Sequence, residues 1–232
     1  FWGVALFFGF TNGARLATEW QTLLQFLNRS SFGQVDPQFG LDISFFVFVL
    51  PAVKVLVSFL MTVTGIGLVA AIIVSYLYGT IRLTPRPHAS KQARLQTGMM
   101  AACLSLFIGV NYWLGLYELL TSDSGSIHGA MYSDINATLP AHSILAVISG
   151  LVALLFVVAA FKGTWRLPAA GVAVTVVAAL VLAGAYPALV EQFRVRPNQR
   201  SLESPYIQRN IDATLAAYGL DNVDYQTNYD AA

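Results

Sequence analysis

Charge is scarce in this chain, and that scarcity sets its class. Asp, Glu, Lys and Arg make up 11% of 232 residues, against about 25% in soluble domains. The formal net charge is +1, so no bulk field draws the chain to nucleic acid, and no nucleic-acid partner is expected. Cysteine is nearly absent. The single Cys103 excludes an intrachain disulfide framework and a Cys-based zinc site. Lying in an apolar run, it reads as a small packing residue. Catalytic signatures are missing as well. His88, His128 and His142 stand far apart, and there is no HExxH, GxSxG or GxxxxGK[ST]. Gly65 and Gly67 in TGIGLVA fall inside an apolar run, where they mark close helix packing and not a phosphate cradle. These absences point to a non-enzymatic chain without a cofactor.

What the chain has instead is long apolar runs. Hydrophobic residues reach 56% and mean hydropathy is +0.62, more than a soluble core of this size needs. About 20 apolar residues cross a bilayer. Spans are predicted near 1–12, 52–78, 95–120, 142–161 and 168–190. The first, FWGVALFFGF, has no basic segment before it and no cleavage site after it, so it reads as the end of a transmembrane helix and not as a secretory signal. From 13 to 28 the pattern turns amphipathic, with Leu16, Trp20, Leu23, Leu24 and Leu27 at helical spacing, which predicts an interfacial helix. The run 43–50 stops at Pro51 and is too short to span, so a second interfacial or re-entrant helix is expected there. Pro187 is expected to kink or end the last span. The fold class is therefore an all-α polytopic transmembrane bundle of about five membrane helices, the first truncated. Residues 1–193 form the membrane block, and 194–232 form a neck and the start of an extracytoplasmic region.

The few charges orient the block. The loops 79–96 and 162–167 hold six Lys or Arg and no acid, whereas 121–140 holds two acids and no base. The positive-inside rule puts the first two loops in the cytoplasm of a bacterial plasma membrane. Alternation then puts 28–42, 121–140 and everything after 190 outside. Lys54 sits one turn into its span, where its stem can snorkel to the headgroups. Arg82, Arg86, Arg194 and Arg196 are placed to meet lipid phosphates, although Arg194 and Arg196 could equally be solvated. Asn111 lies within a span and is expected to make a helix–helix polar contact. Glu118 lies at a boundary and is expected to be wet. Asp36, Asp42, Asp123 and Asp134 share the outer side. They could supply oxygen ligands to a divalent cation, but their spacing matches no known cage, and hydrated carboxylates or caps fit better. Asn136-Ala-Thr138 matches a glycosylation sequon. Beyond Ser204, Ile207, Ile211, Leu215 and Tyr218 repeat at three and four, which predicts a helix from Ser204 to Leu220 with Pro205 in first position and an apolar face that needs a partner.

Four stretches together resemble the UPF0182 group of bacterial membrane proteins, well represented in actinobacteria. They are VDPQFGLDISFFVFVLP at 35–51, YELL at 117–120, YSDINATLPA at 132–141 and RPNQRSLESPYIQRNIDATLAAYGL at 196–220. The resemblance implies about seven transmembrane helices followed by a large extracytoplasmic region. It supplies no catalytic residues. Membrane lipids and other envelope proteins are the expected partners. Three functions are compatible: an anchor that orients an extracytoplasmic domain within an assembly, a conduit for a lipid or hydrophobic solute, and an enzyme whose site lies in that domain.

Overall fold

Apolar runs of this length can satisfy their backbone only as helices. Among the described residues the chain is all-α, apart from one two-residue strand pair. The computed structural model describes residues 2–82, 88–122 and 129–220. In chain order the helices are α1 Trp2–Thr18, α2 Trp20–Leu27, α3 Leu50–Leu77, α4 Lys91–Glu118, α5 Leu139–Lys162, α6 Arg166–Ala178, α7 Tyr186–Val190 and α8 Gln199–Ala217. The strands Ile81–Arg82 and His88–Ala89 pair antiparallel between α3 and α4. Four helical stretches, Phe45–Leu77, Lys91–Thr121, Asp134–Lys162 and Arg166–Ala217, are long and apolar enough to cross a membrane.

Proline sets the fine structure of these helices. Four π-helical turns interrupt or open them: Phe45–Val49, Asp134–Thr138, Ala179–Ala185 and Glu191–Val195. Each ends two residues before a proline, namely Pro51, Pro140, Pro187 and Pro197. In each case the residue just before the proline donates its N–H five residues back: Leu50 to Phe45, Leu139 to Asp134, Tyr186 to Val181 and Arg196 to Glu191. A proline ring collides with the carbonyl four residues earlier and offers no N–H. One wider turn moves that carbonyl aside and lets the helix continue. Two expectations are corrected by this device. Residues 43–50 are not a separate interfacial helix, because the helix runs unbroken from Phe45 to Leu77. Pro187 does not end the last helix, which passes through it to Val190 and on through Glu191–Val195. The block boundary expected at 193/194 falls inside that last π turn. The neck helix also starts earlier than Ser204: α8 begins at Gln199 and holds Pro205 in its interior. At the other end, α1 gives way to α2 at Glu19 and not near residue 12.

Helix α4 packs between α3 and α5. Its approach to α5 follows small residues at helical spacing, Gly98, Ala102, Ser105 and Gly109. A Cβ on Gly98 would lie 2.6 Å from the Cβ of Ala160, and one on Gly109 would lie 3.1 Å from the Ala146 carbonyl. The Ser105 hydroxyl donates to the Ser149 carbonyl at 2.9 Å. Small residues at such a seam let backbones close up where lipid supplies no hydrophobic drive between helices. Cys103 is not part of this seam. It is exposed, so its reading as a packing residue is corrected. At the seam's far end Gly163 caps α5 with φ +80°. Arg94 lies over it, its Nε donating to the Ala160 carbonyl at 3.0 Å. That contact satisfies a carbonyl the helix end would leave open.

The loop between α2 and α3 closes the opposite end of the bundle. Asp36 accepts from the N–H groups of Gln38 and Phe39 at 2.8 and 2.7 Å, and the Asp36 N–H donates to the Leu41 carbonyl. This tight turn carries Phe39 inward, 4.9 Å from the Tyr117 ring, which Phe45 also meets edge-on. Phe46, Leu50, Val57 and Leu114 form the buried core beneath them.

Candidate functional site

Two features stand at the end of the bundle that carries this loop. The first is a cleft of about 360 Å³ between α1, α3 and α4. Helix α1 contributes Asn12 and Arg15, and its junction with α2 contributes Glu19. Helix α3 contributes Lys54, Ser58 and Thr62, and α4 contributes Asn111. Each helical set repeats at three or four residues, so each occupies one face. Seven of the ten lining side chains are polar, in a region whose surroundings are apolar. Lys54 forms an ion pair with Glu118. Its carboxylate partner comes from the next helix, and Glu118, half exposed, is wet and paired at once. Asn111 makes no helix–helix hydrogen bond among the described residues. It lines the cleft instead, and the expected contact is corrected. Nearby, the buried Nδ1 of His142 has no hydrogen-bonding partner among the described residues, and its ring lies against Gly115 and Tyr112.

The second feature is the seat of the neck helix. The Tyr132 N–H donates to both Glu203 oxygens, at 3.3 and 3.1 Å. Asn136 donates to the Tyr206 hydroxyl at 3.3 Å, and the Tyr132 and Tyr206 rings meet edge-on at 6.2 Å. Arg194 lies over the Tyr132 ring at 5.6 Å. Further along, Arg209 donates to Gln38 at 3.3 Å. The neck therefore touches both the 129–138 segment and the 36–38 turn, and these contacts supply the partner that its isolated face lacks. The 52-residue stretch Arg166–Ala217 holds more than twice the roughly 20 residues that cross a bilayer. The apolar part ends before Glu191, so Glu203 lies beyond it. Burial pushes the Glu203 carboxyl above its ordinary range, against the opposing pull of the Tyr132 N–H.

The acids considered as cation ligands have other work. Asp42 accepts the Ser31 hydroxyl and the N–H groups of Phe32, Gly33 and Ser44. The Ser31 and Ser44 hydrogen bonds hold it well below the usual carboxylate range. Asp36 shapes the Phe39 turn, and Asp134 takes the Met131 N–H at 3.0 Å, capping α5's opening turn. Among the described residues, no three such side chains gather. Asp123 and Arg86 lie outside the described residues. Arg82 belongs to the short strand pair, and Arg196 is exposed in a single 3₁₀ turn. The sequon Asn136 is exposed and bonded to the Tyr132 carbonyl and Tyr206.

Sequence reasoning missed the cleft. It weighed Lys54 and Asn111 singly and saw only the apolar face of the 13–28 segment. The available signal was Lys54-Ser58-Thr62, a polar stripe at four-residue spacing in an otherwise apolar helix.

A family model described as "Uncharacterised protein family (UPF0182)" matches residues 1–232. A UPF0182 protein of Paenarthrobacter aurescens is 43% identical over 223 residues, 96% of this chain and 22% of its own length. One from Kocuria rhizophila is 45% identical over 229 residues, 98% of this chain and 23% of its own length. One from Micrococcus luteus is 42% identical, covering 100% of this chain and 22% of its own length. The chain thus spans under a quarter of the curated relatives it matches. No solved structure matches it. With the family model covering its whole length, the chain belongs to the UPF0182 family.

Proposed function

We propose that this chain is the part of a bacterial cell-envelope protein that anchors an extracytoplasmic region in the plasma membrane and fixes its orientation, within a larger assembly. The loops 79–96 and 162–167 face the cytoplasm, and the chain after 190 faces outward. One observation carries the reading: the helix leaving the apolar block does not end in a loose linker. It bends at Arg196–Asn198 and seats on two loops of the block through Glu203, Tyr206 and Arg209. A helix held at several points transmits orientation to whatever follows it, which a disordered tether cannot do. The proposed role is a non-enzymatic one.

Two measurements on the full-length protein test this. Affinity purification in mild detergent should recover a stoichiometric envelope partner, and a lone monomer would sink the assembly part. Spin-label distances between the membrane block and the region after the neck should be narrow, and should broaden in the E203A/R209A double variant. Broad distances in the unaltered protein would remove the orienting role. A second reading, a conduit for a lipid or hydrophobic solute, is favoured by the cleft between α1 and α3.

A further inference from the structure

We infer that the cleft between α1, α3 and α4 is a binding site for the headgroup of a zwitterionic aminophospholipid, with the phosphate on Arg15 and the ammonium on Glu19. This inference does not depend on the anchoring role of the neck.

The charge arrangement selects the ligand. Of the two cations lining the cleft, Lys54 is committed to Glu118. The Arg15 guanidinium has neither an ion pair nor a hydrogen bond among the described residues. A planar fork of five donors lining a cleft in an apolar block is built for a phosphate. The Ser58 hydroxyl and the Asn111 amide lack side-chain hydrogen-bonding partners among the described residues. Both line the same cleft and add donors beside that position. Counting Glu118, the site carries Arg15 and Lys54 against Glu19 and Glu118, so its net charge is zero. A ligand with only negative charge would meet two carboxylates near its phosphate. A ligand with one charge of each sign would not.

Spacing supplies the second argument. Arg15 lies in the last turn of α1 and Glu19 at the junction with α2, four residues on, and both line the same cleft. A cation and an anion thus stand close together along one wall, as a headgroup carrying a phosphate and an ammonium requires. Glu19 is the residue nearer the loop end of the helix, where an ammonium outside the phosphate plane would sit. One Glu19 oxygen takes the Thr22 hydroxyl at 3.3 Å, which leaves the other for a ligand. The cleft also has a path for acyl chains. Away from the loop end, α1 exposes Leu6, Phe7 and Phe10, and α3 exposes Leu56 and Val63. Leu16, Val55 and Phe59 line the cleft itself.

The test uses the full-length protein, delipidated in detergent and titrated with equimolar phosphatidylethanolamine, phosphatidylcholine and phosphatidylglycerol, with bound lipid counted by native mass spectrometry. Phosphatidylethanolamine should be retained best, because its ammonium donates hydrogen bonds to Glu19 and the quaternary group of choline cannot. Arg15→Gln should lower its retention about tenfold, the scale of one lost charge-assisted contact. Glu19→Gln should erase the preference for ethanolamine over choline while leaving total phospholipid bound. Equal retention by wild type and R15Q, or a wild-type preference for phosphatidylglycerol, would overturn the inference. Soluble phosphoethanolamine is added as a competitor at the same concentration. Failure to displace the lipid supports a membrane ligand, and full displacement shows a soluble headgroup compound instead, against the lipid assignment. If R15Q does not stay monodisperse, Asn111→Leu removes a donor from the opposite wall. It should weaken retention several-fold without moving the melting midpoint, and unchanged retention counts against the site.

Discussion

At the scale of single residues, charge and backbone geometry give different kinds of leverage. Gly163 holds φ +80° directly under the Arg94 guanidinium, and a Cβ there would come within 2.5 Å of Nη1. The left-handed conformation alone costs a non-glycine residue about 1–2 kcal/mol. Gly163→Ala also displaces the arginine that caps the Ala160 carbonyl. A clear drop in melting midpoint in detergent is expected, larger than for Gly150→Ala, whose Cβ would meet nothing within 4 Å. The Lys54–Glu118 pair should matter less to stability. Glu118 is 51% exposed, and exposed pairs are worth at most about 1 kcal/mol. A double-mutant cycle with K54M and E118Q should return a coupling in that range. Asp42 gives a pH dependence. Its folded pKa is depressed by the Ser31 and Ser44 hydrogen bonds, so its stabilising contribution is present above the ordinary carboxylate value of about 3.9. That contribution is lost as pH falls through the depressed value. D42N should therefore flatten the acid limb of thermal stability below about pH 4 and leave the neutral limb with a constant offset.

At the scale of elements, proline and the π turn act as a unit. A proline inside a regular helix costs about 3 kcal/mol. Pro187 follows a turn that already moves the obstructed carbonyl aside, so P187A should gain well under that amount. Pro205 sits inside α8 with no π turn before it, so P205A should gain more, read as slower amide exchange across 199–217. Equal gains at both positions would mean that the π turns are unrelated to proline. The same device explains what the sequence could and could not say about the fold. Apolar runs gave helix existence and number, because length and composition decide those. They misplaced the ends near Pro51 and Pro187, because the rule that proline stops a helix takes no account of a wider turn that lets it continue. The cleft was legible only in part. Lys54-Ser58-Thr62 is a pattern within one helix, but its meaning depends on Arg15 and Glu19 arriving from the end of α1 and its junction with α2. That pairing is a tertiary fact. The neck showed the opposite balance: the need of its apolar face for a partner was readable, but the partner, Tyr132 and its neighbours, was not.

At the scale of the whole molecule, the block and the neck are coupled through few contacts, and Glu203 is the most buried of them at 4% exposure. Its folded pKa is raised, chiefly by burial. The native state therefore holds this proton more tightly than the unfolded chain. Its contribution to docking is fully present below the ordinary glutamate value of about 4.3 and is lost as pH rises through the raised folded value. The Tyr132 N–H, which donates only to Glu203, reports that docking directly. Its exchange protection in the full-length protein should weaken as pH rises through that window, after correction for intrinsic exchange rates. Glu203→Gln keeps an acceptor for Tyr132 without a charge to desolvate, so its protection should stay level across the window. Glu203→Ala removes the acceptor and should lose protection at every pH, while α4 and α5, packed through Gly98 and Gly109, keep theirs. If the alanine variant loosened all helices together, neck and block would be one cooperative unit, and orientation would be a property of the whole bundle and not of the seat at Tyr132.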